Sequence, residues 1–236
     1  MTKLICISLK GARPTFFKKT IVSHKNQEIH LSKNTQKYVN CLKDKDKILV
    51  IATGPSGTGK TMMASLVGLD HITHNDYKKI IITRPTIPVG GESLGFLPGE
   101  LDDKMRPWVE HMIEYIDSYD LKSVRNKMNM LPLSYIRGHT FKDTWIIADE
   151  MQNSTQMQMK TLLTRVGENC KIVLTGDLSQ CDLDTEENGL MDLIERLSGD
   201  EPAVEQVTFS EDDIQRSKFV KDILKLYAHP NRGLIQ

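Results

Sequence analysis

No stretch of the 236-residue sequence approaches the ~18 consecutive apolar residues that a membrane span requires. The opening, Met1 to Lys10, holds too short an apolar run for a secretory signal, and Lys10, Arg13, Lys18 and Lys19 accompany it without a small-residue cleavage site. Both absences point to a cytoplasmic protein. Cysteine is scarce: Cys6, Cys41, Cys170 and Cys181 form no CxxC pair and lie beside no histidine cluster. Such spacing argues against zinc and against a disulfide framework, and it fits a reducing compartment. His71 and His74 stand three residues apart with no third ligand recognisable, fewer than a metal site needs. There is no internal repeat, no low-complexity tract and no net charge, since 31 Lys+Arg balance 31 Asp+Glu. Neutrality gives no electrostatic case of its own for tight nucleic-acid binding.

What is present is an ordinary globular composition, 39% hydrophobic and 26% charged, suited to one domain with extensions. A chain of this length buries about 70–75% of its extended surface, enough for a core that needs no metal or cross-link. The charge balance conceals an asymmetry. Residues 1–50 carry eleven Lys/Arg against three Asp/Glu, whereas residues 175–213 carry thirteen Asp/Glu against Arg196 alone. These are either two solvated faces of a monomer or opposed surfaces that meet between subunits.

Short Ile- and Val-rich runs recur at Ile48–Ala52, Ile80–Thr83, Trp145–Ala148, Lys171–Thr175 and Val204–Phe209. Near-continuous apolar runs mark strands covered on both faces. Helical spacing over Lys60–Thr73, Lys104–Tyr119, Thr155–Gly167, Asn188–Leu197 and Asp212–Ala228 then predicts an α/β fold with a mainly parallel sheet. The expected organisation is a basic extension over residues 1–35, one domain over 36–228 and a tail over 229–236. Residues 121–143 read as a less regular insertion with a short strand near Leu133–Ile136.

Three strings carry chemistry. Gly54-Pro55-Ser56-Gly57-Thr58-Gly59-Lys60-Thr61 is an uninterrupted GxxxxGKT between an expected strand and an expected helix. Glycines at this spacing let backbone N–H groups wrap a phosphate, Lys60 neutralises β/γ oxygens and Thr61 ligates Mg²⁺. A strand then ends in Asp149-Glu150, where Asp149 suits the Mg²⁺ shell and Glu150 suits polarising an attacking water. A third strand runs into Thr175-Gly176-Asp177-Leu178-Ser179-Gln180, whose Gln180 offers a donor and an acceptor for sensing a γ-phosphate. Helix capping for the acidic pair and a simple turn for Gly176-Asp177 are the bland alternatives.

Asp149-Glu150-Met151-Gln152 and Thr175–Gln180 resemble motifs II and III of superfamily 1 helicases. Arg84-Pro-Thr-Ile-Pro-Val-Gly90, Leu94-Gly-Phe-Leu-Pro-Gly99, Tyr135-Ile-Arg-Gly-His-Thr140 and Gln158-Met-Lys-Thr-Leu-Leu-Thr-Arg165-Val-Gly167 resemble the PhoH family of RecA-like ATPases, in the family's order, over roughly Leu31 to Tyr227. The resemblance implies a three-layer RecA-like domain that binds and hydrolyses ATP with Mg²⁺. It further implies RNA or single-stranded DNA as partner and a ring-shaped homo-oligomer, a hexamer, as assembly. Gln36 takes the place of a helicase-type adenine-reading glutamine. Position 139 is His where the family usually repeats an arginine. About 30 residues precede the similarity, so the expectation is a minimal, phage-type member without the N-terminal module of longer relatives.

A superfamily 1 helicase draws a phosphate-stabilising arginine from a second RecA-like domain, and too few residues follow Gln180 for one. That cation must come from a neighbour or a partner, or be absent. Arg216 and Arg165 are the candidates, each otherwise a helix charge. For nucleic acid, Arg84 and Thr86 follow a strand end as motif Ia does, Arg137 joins them by resemblance, and Lys104, Arg106 and Trp108 could form a stacking and phosphate platform unless Trp108 packs inward. The reading is a nucleic-acid-dependent ATPase of helicase type. Its rivals are a nucleotide-gated oligomeric scaffold and a small-molecule P-loop kinase.

Overall fold

In the computed structural model, which describes residues 32–85, 122–183 and 187–214, the five apolar runs become parallel strands and a sixth joins them. These are β1 (Leu49–Thr53), β2 (Lys79–Thr83), β3 (Met128–Met130), β4 (Thr144–Ala148), β5 (Cys170–Gly176) and β6 (Val204–Thr208), in the order β3-β2-β4-β5-β1-β6. Every residue of β1, β4 and β5 is buried, which explains why their sequences do not alternate. The register sets Leu49 between Ile172 and Val204, and Trp145 between Ile80 and Lys171. Parallel pairing brings the ends Thr53, Thr83, Ala148, Gly176 and Thr208 to one edge of the sheet. The helices α1 (Lys33–Lys43), α2 (Lys60–Thr73), α3 (Lys122–Arg125), α4 (Gln156–Leu163) and α5 (Gly189–Arg196) complete the described elements. This is the RecA-like arrangement, in which β5 separates the strand leading into Gly54 from the strand leading into Asp149.

Two apolar layers hold it together. On one face Tyr38, Val39 and Leu42 of α1 and Met63, Val67 and Ile72 of α2 pack with Trp145. On the other, Met159, Leu162 and Leu190 pack with Leu133, Ile136 and Ile146. Gly68 permits the close approach of α2, because a Cβ there would stand 2.6 Å from Trp145 Nε1. Helix α1 begins at Ser32, whose hydroxyl accepts from the Thr35 N–H, and ends over Lys171, whose ammonium donates to the carbonyls of Cys41 (2.7 Å) and Asp44 (2.6 Å).

The expected division between residues 35 and 36 therefore cuts a helix that packs on the domain. The strand expected at Leu133–Ile136 is a 3₁₀ turn, Leu133–Tyr135; the strand in this region is β3, three residues earlier than that stretch. Leu133 and Ile136 are both buried, and their i,i+3 spacing suits a helical turn rather than an alternating strand. Helix α4 stops short of the expected Gly167, because the Arg165 carbonyl accepts from the Phe141 N–H and Val166 bridges Phe141. After β6 the chain forms a 3₁₀ turn, Glu211–Asp213, and Ile214 is extended, so the helix expected over Asp212–Ala228 does not start at Asp212; its residues 215–228 lie outside the described residues. The expected helix at Lys104–Tyr119 lies outside the described residues.

Candidate nucleotide site

The turn after β1 is built by glycine. Gly54 has φ +130°, and a Cβ on it would lie 2.3 Å from the Phe209 carbonyl oxygen, so no side chain is accommodated. Gly57 and Gly59 also take positive φ. Gly59 is the N-cap of α2 and offers no side-chain acceptor, which leaves the first-turn N–H groups of a 14-residue helix able to receive an anion. Lys60 folds over the same loop: its ammonium donates to the carbonyls of Gly54 (2.6 Å) and Pro55 (2.9 Å). Burial lowers the Lys60 pKa, while Asp177, Glu150 and Asp149 oppose that shift. Behind the loop, the buried Tyr38 hydroxyl donates to the Lys60 carbonyl at 3.2 Å and its ring meets Phe209 edge-on.

Asp149 is set by a backbone bond, its N–H donating to the Thr83 carbonyl at 2.9 Å. One of its carboxylate oxygens, Oδ1, accepts from the Thr61 hydroxyl at 2.7 Å and also from the Thr175 hydroxyl. Three oxygen-bearing side chains, one from the first turn of α2, one just past β4 and one near the end of β5, thus meet at one point. Mg²⁺ is bound through one or two carboxylates while it keeps several waters, so this all-oxygen set suits it, and a cluster of three acidic or imidazole groups is not required.

Glu150 adopts a left-handed backbone, φ 54° and ψ 39°, which turns the chain into a 3₁₀ segment, Met151–Asn153. Its side chain accepts from Gln152 Nε2 at 2.7 Å, and Gln152 Oε1 accepts from the Asp177 N–H at 3.1 Å. Asp177 Oδ2 in turn accepts from the Ser56 N–H (3.1 Å) and from Gln180 Nε2 (2.7 Å), while Oδ1 accepts from the Ser179 hydroxyl (2.6 Å). These bonds tie the Gly54–Thr61 loop, the Asp149-Glu150 strand end and the Asp177–Gln180 turn into one polar network. Chemically, it can cradle phosphates, hold a hard cation and present Glu150 and Gln180 to a water.

The remaining candidates are dispersed. Gln36 is exposed in the first turn of α1, two residues before Tyr38. Arg84 follows β2, and its carbonyl accepts from the Leu133 N–H at 3.3 Å. Arg137 is exposed beside α4. Arg165 lies before the start of β5, and the seven residues of that strand put it about 20 Å from the edge that carries Lys60. Arg216, Thr86, Lys104 and Arg106 lie outside the described residues. Thr175 and Gln152 were absent from the sequence-derived site although both stand inside the strings that carry it. The sequence shows only that Thr175 is a polar residue ending an apolar strand beside Gly176-Asp177; that it meets Asp149 follows from the pairing of β4 with β5.

A family model described as PhoH-like protein matches residues 29–228. A PhoH-like protein of Bacillus subtilis (strain 168) is 36% identical over 203 residues, covering 83% of this chain and 62% of the relative. Protein PhoH of Escherichia coli (strain K12) is 37% identical over 191 residues, covering 77% and 53%. The chain thus spans between half and two thirds of the length of these relatives. Among solved structures, a Sulfolobus solfataricus SWI2/SNF2 ATPase core in complex with dsDNA aligns with a TM-score of 0.41 at 14% identity, covering 76% of this chain and 45% of that one. The Pif1 helicase from Candida albicans aligns with a TM-score of 0.39 at 17% identity, covering 77% and 40%. With a family match that extends over most of its length and relatives more than 30% identical, this chain belongs to the PhoH-like protein family.

Proposed function

We propose that the protein is an ATPase whose turnover depends on single-stranded RNA or DNA and which works as a ring-shaped homo-oligomer. The observation that carries the ATPase reading is the convergence of the Thr61 and Thr175 hydroxyls on Asp149 while Asp177 binds both the loop N–H of Ser56 and Gln180. In this reading Lys60 leaves the loop carbonyls for the β/γ oxygens of ATP, and the α2 N-terminus receives the phosphates. Mg²⁺ bound at Thr61 and Asp149 would neutralise phosphate charge. Glu150 accepts the proton of the attacking water, and Gln180 orients that water against the γ-phosphate. Gln36 reads the adenine. An arginine from the adjacent subunit, Arg165 or Arg216, completes charge stabilisation. Arg84, Thr86, Lys104, Arg106 and Arg137 meet the nucleic acid.

The test is steady-state phosphate release with and without single-stranded oligonucleotides, with oligomer size followed by light scattering in the same samples. Turnover stimulated by the oligonucleotide in a closed oligomer is the expected result. Slow, unstimulated turnover despite assembly would replace the motor by a nucleotide-gated scaffold, and a phosphorylated acceptor would replace it by a kinase. Two substitutions separate binding from chemistry. Lys60→Ala should weaken ATP binding and abolish turnover, whereas Glu150→Gln should bind ATP normally and lose about 10²–10⁴-fold in rate. Undiminished turnover in Glu150→Gln would remove it as the base.

A further inference from the structure

Tyr135 and Met157 are 60% and 66% exposed, yet both stand on rigid supports. Tyr135 ends the 3₁₀ turn Leu133–Tyr135, which is pinned by the buried side chains of Leu133 and Ile136, so Tyr135 and Arg137 project outward on either side of a core residue. Met157 lies in the first turn of α4, held by a reciprocal capping box between Thr155 and Gln158. Arg137 joins the two elements, its Nη2 donating to Met157 Sδ at 3.3 Å. Lys160 stands one turn further along the exposed side of α4. Single exposed hydrophobic residues are ordinary, but an exposed ring and a thioether on two elements that touch, with Arg137 bonded to the thioether and Lys160 one turn along the helix, are a surface with a specific chemistry.

The two segments that carry these residues hold charge of one sign between the flanking carboxylates Asp143, Glu150 and Glu168. From Lys122 to Lys142 the sequence holds five Lys/Arg and no carboxylate, and from Met151 to Gly167 it holds Lys160 and Arg165 and again no carboxylate. Among the described residues, neither Arg137 nor Lys160 is engaged in an ion pair. Cations with exposed π-face beside them match an unpaired base and its flanking phosphates.

Position supports that occupant. The Leu133 N–H donates to the carbonyl of Arg84, just past β2, so the turn sits at the sheet edge that also carries the nucleotide loop. From β1 to β2 the order passes β5 and β4, three strand spacings or about 14 Å. A strand lying there would run beside the nucleotide site without entering it. It would also lie close along the chain to Glu150, since only the 3₁₀ segment Met151–Asn153 and Ser154 separate Glu150 from the cap of α4.

We propose that Tyr135 and Met157 form a stacking platform for one unpaired base of a single-stranded nucleic acid, with Arg137 and Lys160 on the adjoining phosphates. This rests on the nucleic-acid-dependent reading given above. The test is fluorescence anisotropy of the full chain with a labelled oligo-dT and oligo-U, alongside an abasic oligonucleotide of the same length, with circular dichroism as the check on folding. Tyr135→Ala should weaken binding to the base-bearing strands about ten-fold or more, and Tyr135→Phe should bind like the wild type. The Tyr135→Ala deficit should vanish on the abasic strand. Arg137→Ala should weaken binding to all three strands alike and lower the salt dependence by about one counterion. If the wild type binds these strands and Tyr135→Ala binds them equally well, the platform is wrong and the wider reading stands. If the wild type binds none of them, that reading falls and takes the platform with it. A deficit that persists on the abasic strand, or a change in oligomer size at unchanged affinity, would make Tyr135 a structural or protein-contact residue and overturn the proposal.

Discussion

Asp177 spends one carboxylate oxygen on the nucleotide loop and Gln180 and the other on Ser179, and its own N–H goes to Gln152, which holds Glu150. A single buried acid therefore sets the relative positions of three groups proposed to act on ATP. Lys171 shows a buried charge used differently. It is 1% exposed, and its ammonium closes the C-terminal end of α1 through the carbonyls of Cys41 and Asp44. Burial pulls its pKa down to about 8 from an ordinary 10.5, against the opposing pull of Asp44 and Cys41. Between those two values the folded chain holds fewer protons on Lys171 than the unfolded chain does. Folding then releases protons, so the contribution of this residue to stability rises with pH from about 8 to 10.5 and is constant below that window. Lys171→Met keeps an unbranched side chain and removes the titration. In urea titrations the wild type should gain stability relative to Lys171→Met as pH rises from 8 to 10. A difference that stays constant across that range would show that Lys171 titrates as an exposed lysine does.

Helix α5 meets α4 end to end at a glycine. The Gly189 N–H donates to the Ser154 carbonyl at 2.7 Å, Asn188 caps α5 by accepting from Leu190 and Met191, and a Cβ on Gly189 would sit 2.5 Å from the Thr155 carbonyl oxygen. Because the obstacle is backbone, Gly189→Ala should cost about 1–3 kcal/mol, seen as a lower urea midpoint at unchanged slope. A neutral result would mean that the junction between the two helices is loosely packed. Neither this junction nor several other elements could be read from the sequence. Buried strands were legible because Leu49–Thr53, Thr144–Ala148 and Cys170–Gly176 are mostly apolar and buried on both faces, and α2 because a glycine-rich turn announces its start. Strand β3 was not, since Met-Asn-Met has no β-branched residue and only three positions at a sheet edge. Helix α1 was hidden by its many lysines and asparagines, although Ser32 as cap and the buried Tyr38, Val39 and Leu42 spell one apolar face. The loop residues Gly54–Thr61 and the Asp149-Glu150 pair were legible as a site. The hydroxyl of Thr175 and the bridge through Gln152 were not, because contacts between strand ends depend on a strand order that no local pattern encodes.

Over the whole molecule, the opposed charges of the two ends of the sequence are partly consumed within one chain. Lys37 and Lys47 both pair with Glu205, at 2.7 and 3.4 Å, and Asn34 donates to Asp213, so α1 is fastened to β6 and the turn beyond it. The charge asymmetry is thus a weaker argument for subunit contacts than the composition suggests, and the proposed assembly turns on whether a cation of one subunit reaches the phosphate held by another. Arg165 lies at the opposite end of β5 from Asp177, about 20 Å from the edge where Lys60 sits, so it can reach only a phosphate held by another copy. A head-to-tail ring makes that possible, because each interface joins the nucleotide edge of one subunit to a different surface of the next. The proposal predicts complementation. Arg165→Ala subunits keep an intact loop and lack the cation, whereas Lys60→Ala subunits keep the cation and lack the loop. If Arg165 serves the neighbour, each variant alone should lose turnover, Arg165→Ala by about 10³-fold or more. A one-to-one mixture, with random order around the ring, would restore about one quarter of the competent interfaces and a corresponding share of the phosphate release. The same mixture of Glu150→Gln with Lys60→Ala should restore nothing, since both lesions fall in the site that a single subunit provides. Recovery in the first mixture alone would fix Arg165 as the residue acting between subunits. Its failure, with both variants folded and assembled, would leave that role to Arg216 or to a partner.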